Sequence, residues 1–384
     1  MAMTLPRGFR SAGLAAGLKP SGRPDLALLA ADGPLDWAFV GTRNRLSAAC
    51  VDRARRLLAA GAPLRAVIMN AGNANCATGP QGAEDDETLA ALAAAALGGL
   101  DPEQVLTAST GVIGVPMPMD TVRAAVPRVA GALGPDVEGL SQAILTTDTR
   151  AKVAEATLPG GARVVGVAKG SGMIHPDMGT MLAFVATDAD VPAAALRAAW
   201  PEVAARTFNQ VTVDGDTSPN DMAVLLSSRR VEAGEAPLRV ALERVAAELA
   251  ERIAADGEGA STLVRVQVRG AAQLEQALAA ARTVAGSALV KTAVHGRDPN
   301  WGRILSSLGR SGADFDPRRA EIVLQGTTVY RGRPLDFDAA ALSAALDADV
   351  VEIAADLGAG SAEGRAWGCD LTDGYVRINA DYTT

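Results

Sequence analysis

The chain is poor in almost every residue type that would place it on nucleic acid, around a metal or across a membrane. Only three of its 384 residues are cysteines, Cys50, Cys76 and Cys369. An odd number at such wide spacing gives neither a disulfide framework nor a zinc-ligand pattern, and the simplest reading is a reduced, cytoplasmic protein with no bound metal. Histidine is scarcer still: His175 and His295 are the only two, so a Ser-His-Asp arrangement has few possible members. Aromatic residues make up 3% of the chain, which leaves Ala, Val and Leu to fill the core; a hydrophobic content of 48% is ample for that. The net charge is −8 and no basic block is present, which argues against a nucleic-acid surface. No stretch reaches the roughly 18 continuous apolar residues of a membrane-spanning helix. The run Ala12 to Leu18, behind Arg7 and Arg10, is short and interrupted by Gly13 and Gly17, a poor signal-peptide core. Repeats, low-complexity tracts and heptads are also missing. Finally, of 36 basic residues only Lys19, Lys152, Lys169 and Lys291 are lysines. Where arginine is favoured wherever either cation would serve, a retained lysine points to a task unsuited to a bulky planar guanidinium.

What is there centres on residues 166–188. An apolar run ends at Lys169 and is followed by Gly170, Ser171 and Gly172; a turn with Pro176 leads to Gly179-Thr180, and a second apolar run begins at Met181. Strand, crossing, hydroxyl residue, strand is a plan for presenting one nucleophile at a buried strand end, here Thr180. A threonine hydroxyl needs a nearby base. A chain that cuts itself before Thr180 would supply one without histidine, because the freed α-amine, with a pKa near 8, lies within reach of its own hydroxyl. Gly179 tolerates the strained backbone that such a cut requires. The bland alternative is a strand–turn–strand with an ordinary β-branched threonine.

The remaining segments read as alternating strands and helices. Residues 24–30 and 35–41 are apolar strands separated by Asp32-Gly33-Pro34. A helix over 47–60 and a strand over 64–69 lead into Asn70-Ala71-Gly72-Asn73-Ala74-Asn75, which either presents amides to a ligand or simply makes turns. A helix opening at Glu84 to Glu87 follows, its acids suited to the helix dipole. The strand from Val105 ends in Ser109-Thr110-Gly111, where a backbone N–H and a hydroxyl could face a developing oxyanion, or could merely close a strand. Thr146-Thr147-Asp148 closes a helix over 137–145, and 153–157 with 163–168 make a hairpin. Asp214, Asp216, Asn220 and Asp221 suggest a calcium loop, but the ligand spacing and the closing Glu are missing, so turn-pinning is the better reading. Helices over 192–206, 237–255 and 271–285 flank strands over 222–226 and 262–268. The turn after the long helix carries Glu258, a carboxylate able to bind a substrate ammonium. Asp298-Pro299-Asn300-Trp301-Gly302 reads as a fixed, packed loop, and the last residues, from Gly368, as a period-two strand.

The central motif, Lys169-Gly170-Ser171-Gly172-Met173-Ile174 through Thr180-Met181-Leu182, resembles the signature of the ornithine acetyltransferase (glutamate N-acetyltransferase) family of arginine biosynthesis. The resemblance extends over essentially the whole chain, through the Asn70–Gly79, Thr107–Gly114, Thr146–Thr149, Val213–Asp221 and Lys291–Arg303 blocks. Gly179 stands where Ala is usual, and His175 where the family usually has a small residue. The resemblance implies an α/β fold, a layered α-β-β-α sandwich over 1–270 with a smaller C-terminal α/β domain over about 280–384. It implies self-cleavage between Gly179 and Thr180 into chains 1–179 and 180–384, packed as an α2β2 heterotetramer. It implies transfer of acetyl from N2-acetyl-L-ornithine to L-glutamate through Thr180, with Thr110 and Gly111 holding the oxyanion and Thr146, Lys169, Glu258, Asn379 and Thr384 contacting substrate. No cofactor is expected, acetyl-CoA being an optional co-substrate. Three other readings share some of these features: a self-cleaving amidase or aminopeptidase, a relative serving a secondary pathway such as clavulanic acid clusters, and a binding protein that kept the fold.

Overall fold

A computed structural model describes residues 3–175 and 181–381. The first half of the chain forms β1 (Phe9–Leu14), β2 (Leu26–Gly41), α1 (Ala49–Ala59), β3 (Leu64–Asn73), α2 (Gly79–Ala96), β4 (Val105–Val112), α3 (Met119–Gly131), α4 (Glu138–Ala143), β5 (Lys152–Thr157) and β6 (Arg163–Lys169). Then come β7 (Leu182–Asp190), α5 (Ala193–Arg206), β8 (Met222–Glu232) and α6 (Glu235–Ala255). The last third forms β9 (Leu263–Ala271), α7 (Leu274–Ala285), α8 (Ala288–His295), α9 (Trp301–Gly309), β10 (Glu321–Leu324), β11 (Thr327–Arg331), α10 (Ala339–Ala345), β12 (Val350–Asp356), β13 (Ala362–Cys369) and α11 (Asp373–Asp381).

Strand β2 builds the main layers. The expected pair of strands on either side of Asp32-Gly33-Pro34 is one strand of 16 residues, bent rather than turned. Residues 26–30 pair antiparallel with β3, the register breaks between Ala30 and Leu35, and residues 36–41 pair antiparallel with β8. Proline, with no N–H to give, falls where the ladder needs none. The sheet order β4-β3-β2-β8-β7-β6-β5, with β1 added to β2, thereby folds over on itself. Side chains alternate along each strand, so every strand serves two cores. Leu29, Val67, Met69 and Leu106 from one half meet Val167, Phe184, Val224 and Leu226 from the other between the layers. On the outer faces, Leu26, Leu28 and Ile68 pack on α2 and α3, and Val164, Val185 and Leu225 on α5 and α6. This is the expected α-β-β-α sandwich. Small residues set how close its layers come: a Cβ at Gly166 would lie 2.7 Å from Leu249 Cδ1 and 2.9 Å from Val245 Cγ1 on α6.

The second sheet has the order β11-β10-β12-β9-β13, with β9 and β12 parallel and the other pairs antiparallel. Helices α7 to α10 cover one face through Val264, Val266, Val284, Ile304, Ile322 and Ile353. The expected boundary near 270–280 falls too late, since β9 already belongs to this sheet from Leu263. Which sheet a strand joins depends on distant partners, and its own residues do not say.

The expected terminal strand is a helix. The chain leaves the sheet at Cys369, Thr372 Oγ1 accepts the Gly374 N–H at 2.9 Å, and α11 starts there. No strand among the described residues lies alongside this period-two pattern. Among the described residues no single helix is long and apolar enough to cross a membrane.

Candidate active site

Strand β6 ends at Lys169 and β7 begins opposite it, Lys169 pairing with Leu182. The connection therefore leaves and returns at one end of the sheet. Its described flanks are fixed. Asp214 accepts the Met173 and Ile174 N–H groups at 2.6 and 2.8 Å, Val213 N–H donates to Ile174 O at 2.7 Å, and Met222 N–H donates to Met181 O at 3.0 Å. Gly179 and Thr180, like Thr384, lie outside the described residues.

A cavity of about 390 Å³ opens at this end, lined by Thr110, Gly111, Thr146, Lys169 and Asn379 together with Gly172, Asp214 and Tyr375. Thr110 and Gly111 close β4. Gly111 has φ +131°, and a Cβ there would stand 2.4 Å from the Gly72 carbonyl carbon and 2.6 Å from Asn73 N, so only glycine fits. The buried Asn220 amide donates to Ala74 O at 2.6 Å and Ser109 O at 2.8 Å, fixing this strand end. Lys169 is 7% exposed, and its Nζ donates to Thr110 Oγ1 at 3.4 Å. Burial pulls its pKa below the ordinary lysine value, with the Asp148 carboxylate opposing. Thr146 donates through its N–H and Oγ1 to Asp148 Oδ2 at 3.0 and 3.5 Å. Glu258 is buried behind the lining residue Asn379, from whose Nδ2 it accepts at 2.8 Å. A Cβ at Gly172 would lie 2.3 Å from the Glu258 carboxylate, so the bare backbone there makes room for the acid. Lysine ammonium, carboxylate, hydroxyls and an amide thus converge from β4, β6, the segment before β5, the turn after α6, and α11.

Residues 10–384 match the ArgJ family. The chain belongs to the ArgJ family. The arginine biosynthesis bifunctional protein ArgJ of Thermus thermophilus is 58% identical over 387 residues, covering 100% of both chains. Its namesake in Deinococcus radiodurans is 54% identical over 385 residues, covering 100% of this chain and 98% of its own. A crystal structure of the arginine biosynthesis bifunctional protein argJ from Bacillus halodurans superposes with TM-score 0.50 at 40% identity, over 52% of this chain and 98% of that chain.

In this ArgJ-family chain two features of the site are not given by its motifs. The first is a buried ion cluster, with Lys152 Nζ donating to Asp148 Oδ1 and Asp256 Oδ2, both at 2.6 Å. Its signal was the scarcity of lysine: Lys152, Lys169 and Lys291 are all buried. Burial alone would raise the Asp148 pKa, but the Lys169 and Lys152 ammonium groups hold it well below the usual carboxylate range. The second is Tyr375 on α11. Its phenol is pushed well above its ordinary value by burial, with Asp214 and Glu258 adding to the shift. Asp214, expected to pin a turn, does so at the cavity, and burial raises its pKa against the backbone N–H groups it accepts. The asparagine-rich loop proves to be scaffold. Asn70 Nδ2 donates to Asn73 O at 2.8 Å, Asn73 Nδ2 to Val115 O at 2.9 Å, and Asn75 Nδ2 to Gly82 O at 2.8 Å. Asp298–Gly302 lies away from the cavity, with Trp301 stacked on Tyr330 at 5.3 Å between ring centroids. Among the described residues no group of three or more His, Cys, Asp or Glu side chains is placed to hold a metal ion.

Proposed function

We propose that the chain transfers acetyl from N2-acetyl-L-ornithine to L-glutamate in arginine biosynthesis, after cutting itself between Gly179 and Thr180. The observation that carries this reading is the meeting of Thr110, Gly111, Thr146, Lys169 and Asn379 in one cavity, with Glu258 bonded to Asn379 behind it, at the sheet end where the chain enters and leaves the 176–180 segment. Thr180 Oγ1 attacks the acetyl carbonyl and its α-amine takes the proton. Thr110 and the Gly111 N–H hold the oxyanion. The C–N bond breaks, ornithine leaves with the proton, and an acetyl ester remains on Thr180. The glutamate amine then attacks that ester and restores the hydroxyl. Lys169 receives the substrate carboxylate and Glu258 its ammonium, with Thr146, Asn379 and Thr384 completing the hydrogen bonds.

The fragments 1–179 and 180–384 need no covalent link. Strand β6 of the first pairs with β7 of the second from Val164–Thr187 to Lys169–Leu182, and β2 with β8 from Asp36–Ser227 to Gly41–Met222. The Bacillus halodurans chain spans 52% of this one while being covered to 98%, a half-length chain, which supports a cut near the middle. Acetyl-CoA serves as a second donor in this reading, supported by the word bifunctional in the relatives' name. The fragments pair as an α2β2 heterotetramer in the cytoplasm, and three free, buried cysteines fit a reducing compartment.

The test is to incubate the purified chain with isotopically labelled acetyl-ornithine, with and without glutamate. Labelled acetyl-glutamate should form when glutamate is present, and a labelled ester on the peptide beginning at Thr180 when it is absent. Release of free acetate with no acetyl-glutamate would replace transfer by hydrolysis.

A further inference from the structure

The Lys152 side chain starts at the first residue of β5, wholly buried beneath the cavity. Its Nζ has three protons and three acceptors: Asp148 Oδ1, Asp256 Oδ2 and Arg150 O, the last at 3.4 Å. Both carboxylates hold segments that face the cavity. Asp148 accepts the Gly170 N–H at 2.7 Å, next to Lys169, and the Thr146 N–H at 3.0 Å. Asp256 accepts the Thr149 N–H at 3.1 Å and a hydrogen bond from the Thr149 hydroxyl. Two residues on is Glu258, whose N–H donates to Ser171 O at 3.0 Å, while Ser171 Oγ donates back to Asp256 O at 2.6 Å. Three separate segments, 146–149, 169–172 and 256–258, are thus laced to one ammonium group.

Stability alone is a poor reason for such a cluster. Taking one ammonium and two carboxylates out of water costs several kcal/mol per ion after relaxation, and apolar residues of the same volume often do as well or better. An arginine could not replace the lysine: its planar fork is too wide for a site where three acceptors converge on one nitrogen.

From these contacts we propose that Lys152 is a positioning residue that sets the separation between Lys169 and Glu258, and hence the fit of the site to the backbone carboxylate and ammonium of a free amino acid. The inference rests on the transfer reaction proposed above, which assigns those two roles. Lys152 touches no substrate. It fixes Gly170 through Asp148 and the turn carrying Glu258 through Asp256.

The experiment measures L-glutamate and L-ornithine binding by calorimetry on the full chain, for the native protein, Lys152→Met and Asp256→Asn, with melting temperature and acetyl-transfer kinetics on the same preparations. Loss of the outer hydrogen-bond partner of a metal ligand costs about 10- to 100-fold, and a partner that orients a substrate-binding group is expected to act on the same scale. Lys152→Met should weaken both amino acids by about 30-fold and raise KM in proportion, with kcat changed less than about 3-fold. Asp256→Asn keeps the shape, removes one charge and should weaken binding about 5-fold; it decides the matter alone if Lys152→Met does not fold. Native affinity in a variant whose melting temperature has fallen reduces the cluster to packing and overturns the proposal, as does a loss confined to kcat. A native chain that binds both amino acids but transfers no acetyl sinks the reaction and leaves the positioning result standing.

Discussion

The sandwich holds a buried ion cluster beside the cavity in addition to surface pairs such as Arg55–Asp52 and Arg239–Glu202, whereas the arginine–carboxylate pairs of the five-stranded unit lie at the surface. Lys152, Asp148 and Asp256 have side chains no more than 2% exposed. In the second unit, Arg331–Glu321, Arg318–Asp316 and Arg269–Glu363 pair with at least one partner largely in water. Exposed pairs of that kind contribute little, and buried ones are dear to form. Lysine and arginine divide differently: three of four lysines are buried, whereas among the described arginines only Arg53 is. The buried cluster beside the cavity is therefore the one expected to arrange a ligand, and the surface pairs of both units are interchangeable.

That contrast can be broken by removing charges from each side of it. Lys169→Met should have the largest effect, lowering acetyl transfer by at least about 100-fold in steady-state assays, because it takes away the carboxylate partner and the donor to Thr110 together. Gly111→Ala comes next. A Cβ pressed against the Gly72 backbone must displace the end of β4, so kcat should fall by about 10- to 100-fold with a lowered melting temperature.

Asp86 sharpens the comparison because it is a buried acid with no substrate to serve. It accepts from Thr107 Oγ1 at 2.6 Å, and burial pushes its pKa up to about 6, against that hydrogen bond and the Arg53 charge. The unfolded chain releases this proton near pH 3.8 and the folded chain near pH 6. Stability should accordingly fall as pH rises through that window, by on the order of 3 kcal/mol, and stay reduced above it. Asp86→Asn keeps an acceptor for Thr107 and should flatten that slope in urea melts at pH 4, 5, 6 and 7, leaving the mutant the more stable protein at neutral pH. The smallest effect belongs to the surface: Arg331→Ala should leave the melting temperature within about 1 °C and transfer unchanged. A large loss there would erase the distinction between the two regions.

Elements with strong local patterns were legible in the sequence. The helix of 235–255, the 152–169 hairpin and the β7 strand fall within a residue or two of their expected bounds. What depended on distant partners was not. Residues 26–41 looked like two strands because the DGP triplet reads as a turn, and only pairing with β3 on one side and β8 on the other makes them one. Helix α11 looked like a strand because Tyr, Val, Arg, Ile and Asn alternate there, and nothing local says that no strand lies alongside. For the site, the family motifs point to Thr110, Gly111, Thr146, Lys169, Glu258 and Asn379; five of them line one cavity, and Glu258 is hydrogen-bonded to the lining residue Asn379. Lys152 is marked only by the scarcity of lysine and Asp256 by nothing, because neither sits in a motif with chemistry of its own. Their function lies in contacts between segments about 100 residues apart.

The central claim is that the Gly179–Thr180 bond breaks by itself and that the freed threonine carries the acetyl group. Intact-mass spectrometry of the purified chain, before and after acetyl-ornithine, tests it most directly, with Thr180→Ala beside it. The native protein should give two fragments, the second starting at Thr180 and heavier by one acetyl group after incubation, while Thr180→Ala stays whole, unlabelled and inactive. A single uncut chain that transfers acetyl at full rate would contradict the account.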